Sequence, residues 1–133
     1  MIPAFDDQGY LPPGIHPATL DEIAERFGNE SELRQVEMES VRWLVDLARR
    51  AGVSRLVVDG SFVTNTYEPN DVDCALLVGA GYPADEQADA ELNEGLPFIQ
   101  ASMLSQPLFD YYVGTLYASD RRNIPKGMIE VIW

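Results

Sequence analysis

The chain has 133 residues, which suits one domain and leaves little room for two. Its 22 acids against 9 basic residues give a net charge of −13, which repels a phosphate backbone and disfavours direct nucleic-acid binding while favouring cations and basic proteins. No apolar run approaches a membrane span, MIPAFDDQGY lacks the charge and hydropathy of a secretory leader, and the single Cys74 has no internal disulfide partner, so a cytoplasmic setting is expected.

Residues 1–17 are rich in Pro, Gly and aromatics and read as an irregular arm, pinned by Phe5, Tyr10, Leu11 and Ile15. A short helix is expected next, with Thr19 and Glu22 at capping-box spacing and Gly28 as its end. Ser31 opens a longer helix to about Arg50, with Leu33, Val36, Ser40, Trp43, Leu44, Leu47 and Ala48 at helical spacing and Met38, Val41 and Val45 widening the face; Trp43 is expected in the core. Gly52 stops it. RLVVD, residues 55–59, is β-branched and reads as a strand; a loop over 60–70 leads to a second strand at 71–78. Residues 84–94 read as an exposed acidic helix, and PFIQASMLS as its resumption. Strands are expected at 108–113 and 128–133, separated by a loop over 118–127. Together these predict one α+β domain over 1–133, with a mixed sheet of about four strands packed with helices.

The chemistry concentrates in VVDGSFVTNTYEPNDVDCALLV, residues 57–78. Asp71 and Asp73 lie two apart, so their carboxylates leave the same face while Val72, Cys74 and Leu76 take the other. Two like charges so placed suit a hard divalent cation that prefers oxygen. Without one, one of the pair should have a raised pKa. Gly60 lets the backbone approach a ligand closely, and Ser61 adds a hydroxyl donor. Asp110, a lone charge in LFDYYV, is the third candidate acid. Asp59 reads as a turn-capping residue, with a fourth acid near the site as the alternative. Cys74 reads as core. His16, the only histidine, leaves no partner for a catalytic thiol or a serine triad.

The order Gly-Ser, then Asp-Val-Asp, then a later Asp between apolar residues resembles the nucleotidyltransferase fold of the DNA polymerase β superfamily, and in style its minimal bacterial members, often encoded beside toxins. More narrowly, DGSFVT, PNDVD and the late KG resemble a little-characterised bacterial family assigned to that superfamily. The resemblance implies that Gly60 and Ser61 hold a triphosphate, with Lys126 weakly added. It implies that Asp71, Asp73 and Asp110 bind Mg²⁺ or Mn²⁺ and carry the catalysis, and that a nucleoside monophosphate moves from an NTP to a hydroxyl, on a partner protein for instance. The chain departs from the pattern in having Phe62 and Val63 where many minimal members carry Arg, and no Lys or Arg in the loop 64–70. The competing expectation is a catalytically inactive, antitoxin-like module that keeps the fold and binds a basic, toxin-like protein.

Overall fold

The computed structural model describes residues 1–133. Its five strands form one mixed sheet, close to the about four expected, in the order β1-β5-β2-β3-β4. Strand β1 is Gly14–Thr19, β2 Arg55–Asp59, β3 Val72–Leu77, β4 Ile99–Leu104 and β5 Gly127–Ile132. Strand β2 is antiparallel to both β3 and β5, whereas β1–β5 and β3–β4 are parallel. The helices are α1 (Leu20–Phe27), α2 (Glu32–Ala51), α3 (Glu86–Glu94) and α4 (Gln106–Tyr111), the last running into a π-helical turn at Tyr112–Leu116. The α+β class is therefore as expected, and no helix is long and apolar enough to cross a membrane.

The local signals explain the first half of the chain. Thr19 and Glu22 form the reciprocal capping box that opens α1. Ser31 accepts from the Arg34 amide to open α2, and Gly52 closes it in the left-handed region at φ 95°. Four expectations are corrected. The end of the irregular arm is strand β1, with Pro17 tolerated because β1 is a sheet edge. IQASML is strand β4 and not a helix, and the segment around Asp110 is helix α4 and not a strand, because Pro107 lies in its first turn. Trp43 is 48% exposed and Val36 45%, whereas the rest of the expected face of α2 beyond Leu33 (Met38, Ser40, Val41, Leu44, Val45, Leu47 and Ala48) is buried, joined by Arg34 and Glu37.

The sheet has a thick side and a thin side. A core of 24 buried residues joins α1, α2 and α3 to Leu56, Val58, Val72, Cys74 and Leu76. The opposite face carries only seven buried apolar residues, among them Val57, Ala75, Phe109, Tyr117 and Met128. Side chains alternate along a strand, so Asp59 shares the thin face with Val57, and Asp73 shares it with Ala75. That face is open where the π turn ends, and the carboxylates lie there.

Candidate functional site

Strands β2 and β3 pair so that Asp59 and Asp73 stand directly opposite each other. Opposed side chains in an antiparallel pair have Cβ atoms about 5 Å apart, and like charges so placed destabilise the sheet. Asp71 precedes β3 on the same side. Gly60, between β2 and a 3₁₀ turn at Ser61–Val63, takes φ 88°, and a Cβ there would press within 3.1–3.3 Å of the Asp73 amide, the Asp73 carboxylate and the Asp71 carbonyl. Only glycine allows the turn and this close approach together.

Each carboxylate has a different environment. Asp71 Oδ1 accepts from Ser61 Oγ at 2.9 Å. Asp59, 4% exposed, accepts from Lys126 Nζ through both oxygens at 2.6 Å, and the third ammonium proton goes to the Tyr117 carbonyl at 2.9 Å. Burial raises the Asp59 carboxyl, and the Lys126 ammonium opposes that rise. The Asp73 carboxylate makes no hydrogen bond and no ion pair. Burial first, then the charges of Asp71 and Asp59, push it up to about 6. Asp59, Gly60, Ser61, Asp71, Asp73 and Lys126 all line one cavity of about 490 Å³, with Tyr10 and Arg121 at its rim.

The structure thus gathers five of the six expected site residues. Asp110 is the exception. It is exposed on α4, accepts from Gln106 at 2.8 Å, and its charge is felt by Arg55 at the start of β2. Arg55 and Asp59 are four strand residues apart, about 13 Å. Asp110 therefore belongs to the other end of the sheet, and Asp59 is the third acid of the cavity. The assigned role of Lys126 also changes: with all three of its protons engaged it holds Asp59 and has none left for phosphate. The chain has no other lysine, which was the available sign that Lys126 has a particular partner.

Two residues that the sequence reading passed over support the site from behind. Arg34, 1% exposed, donates to the carbonyls of Phe27, Phe62, Thr64 and Thr66, and so fixes the loop that follows Ser61. Glu37, one helical turn on, is fully buried with both carboxylate oxygens unpartnered; burial pushes it up to about 7, against the pull of Arg34 and with a further push from Asp71. Both lie in phase with Met38, Val41 and Val45, which was the readable signal.

A family model matches residues 3–132, almost the whole chain. The chain belongs to a family of unknown function, DUF6932. Neither a curated protein nor a solved structure matches it.

The donor set of the cavity is all oxygen, which fits a hard divalent cation. No three acidic, His or Cys side chains converge as a ready metal cage. Asp71 is turned to Ser61 and Asp59 to Lys126, which leaves Asp73 as the carboxylate with no hydrogen-bonded or ion-paired partner, the Lys126 charge acting on it only from a distance.

Proposed function

We propose that this chain is a metal-dependent nucleotidyltransferase that moves a nucleoside monophosphate from an NTP to a hydroxyl acceptor, with a partner protein as one candidate carrier of that hydroxyl. The observation that carries the reading is Asp73: a half-buried carboxylate without a partner, flanked by two more acids, on the wall of an open cavity. Repulsion of this kind is retained where a cation relieves it. Asp71 and Asp73 are the residues proposed to hold Mg²⁺ or Mn²⁺, which when bound would supply charge stabilisation to the attacking and leaving oxygens of an in-line displacement. Gly60 brings backbone against the cavity without a side chain in the way, and the Ser61 hydroxyl, now on Asp71, is the nearest neutral donor for a phosphate oxygen. Lys126 neutralises Asp59, which keeps the cavity less hostile to a polyphosphate than three bare carboxylates would be. A cytoplasmic setting, where NTPs are held, goes with this proposal.

The test has two parts. Thermal melts with and without millimolar Mn²⁺ should separate for the wild type and coincide for Asp73→Asn, since binding to the folded state alone stabilises by about 2.7 kcal/mol at a hundredfold excess over Kd. Labelled NTPs with co-purified protein as acceptor should then give transfer that Asp71→Asn and Asp73→Asn abolish. Coincident melts for the wild type would sink the metal site whatever the transfer assay shows.

A second reading rests on Lys126. Its ammonium already lies among the acids and saturates Asp59, as it would in a module that keeps the fold and binds a basic protein without chemistry. Metal-independent melts, no transfer, and partner binding unchanged by Asp73→Asn would select it.

A further inference from the structure

Lys126 is coordinated inside the cavity much as a metal ion would be. Its Nζ donates to both oxygens of Asp59 at 2.6 Å and to the Tyr117 carbonyl at 2.9 Å. An oxygen-only shell, with one carboxylate taken through both of its oxygens, is also the coordination of a hard divalent cation. The ammonium is held in place. The Lys126 side chain is 13% exposed and Asp59 is buried. Behind it, the Lys126 amide donates to Ala118 O, the Gly127 amide to Leu11 O, and Ser119 bridges to Pro125.

Asp59 stands directly across the β2–β3 ladder from Asp73. The Lys126 charge acts on Asp73 against the repulsion of Asp71 and Asp59. The ammonium therefore lies beside the place where an ion on Asp71 and Asp73 would be held. A second ion, on either Asp59 oxygen, would sit about 2 Å from that oxygen and within about 5 Å of Nζ, so like charges would meet in a largely buried corner. To enter, it must displace the hydrogen bonds of Lys126. Charge points the same way. At neutral pH Asp59, Asp71, Asp73 and Lys126 together leave two negative charges, which one divalent ion cancels and two would overshoot. The other acid of the wall, Asp120, is engaged by its own surroundings, accepting from Tyr10 Oη and from the amides of Arg122 and Ile124.

We propose that the cavity takes a single divalent ion, on Asp71 and Asp73, and that Lys126 is a built-in second cation, standing on Asp59 where a two-ion site would place its other metal. Two-ion sites hold their metals about 3.5–4 Å apart and divide the charge of the reacting oxygens between them. Here one of the two positive charges belongs to the chain itself, just ahead of β5, and neither dilution nor chelation removes it. Asp59 is then a positioning residue for Lys126 and not a metal ligand. This inference rests on the metal reading above, and goes beyond it in the number of ions and in the role of Lys126.

Mn²⁺ added to the intact chain, counted by equilibrium dialysis and read by electron paramagnetic resonance, is the test. The wild type should take up one Mn²⁺ per chain, with the resolved hyperfine signal of an isolated ion, and Asp73→Asn should abolish that uptake. Lys126→Ala frees both Asp59 oxygens and should bind a second Mn²⁺, close enough to the first for spin coupling to broaden the signal. Asp59→Asn, isosteric and still an acceptor for Lys126, should keep a single ion, and it keeps the test standing if Lys126→Ala does not fold. Two coupled ions in the wild type overturn the proposal and leave the metal reading intact. A single ion in folded Lys126→Ala, or loss of the ion at saturating metal in Asp59→Asn, does the same. No uptake by the wild type overturns both, because the ion on Asp71 and Asp73 is then missing.

Discussion

Asp73 and the Asp59–Lys126 pair make opposite predictions for neighbouring carboxylates. The folded chain keeps the Asp73 proton up to about pH 6, whereas the unfolded chain releases it near pH 4. The folded state therefore binds more protons in that window, and stability falls as pH rises from about 4 to about 6. In metal-free buffer Asp73→Asn should raise stability at pH 7.5 by about 1–2 kcal/mol, a figure below the full shift because the group is partly solvated. The gain should shrink below pH 4; melts at the two pH values check it, and an equal gain at both would refute the electrostatic account. Lys126→Met should do the reverse. It strands the buried Asp59 charge, and removing one member of such a pair costs about 3–5 kcal/mol. Adding Asp59→Asn should recover part of that loss, so denaturant melts of the two singles and the double should give a clearly non-additive cycle.

Among the elements, α2 does more than cover the sheet. Its Arg34 holds four carbonyls from the α1 end and the loop 62–66 that no secondary structure satisfies. Arg34→Met keeps the volume and orphans those carbonyls, so a loss of more than about 3 kcal/mol in denaturant melts is expected. A loss under about 1 kcal/mol would mean that water replaces the guanidinium. The sequence was most readable where local chemistry is decisive: the capping box of α1, the Ser31 and Gly52 ends of α2, and the same-face placement of Asp71 and Asp73. It was least readable at β4 and α4. LFDYYV is aromatic and β-branched enough for a strand, but Pro107 starts a helix there, and IQASML becomes a strand only because β3 offers it an edge. That exchange carried Asp110 away from the site. Asp59 was ambiguous for a related reason: its partner Lys126 is distant in sequence, and no local pattern records the pair.

For the whole molecule, the charge of −13 sets a background repulsion against compaction. Raising NaCl from about 0.02 M to 0.5 M shortens the screening length from roughly 20 Å to a few ångströms. The melting temperature should therefore rise with salt, by more in the wild type than in the Glu91→Lys, Glu94→Lys variant, and a fall would show that the few ion pairs outweigh the repulsion. The sheet order has a consequence for how the chain is made. Strand β5 stands between β1 and β2, yet it is synthesised after every other strand of the sheet. Until it leaves the ribosome, β1 has no neighbour to pair with and Lys126 has not reached Asp59. The pairing of Gly14 with Gly127 spans nearly the full length, and such distant closures slow folding. The nascent chain thus carries its carboxylates unneutralised and its β2 edge open through most of translation, and one late strand inserted between two waiting ones completes both the sheet and the wall of the cavity.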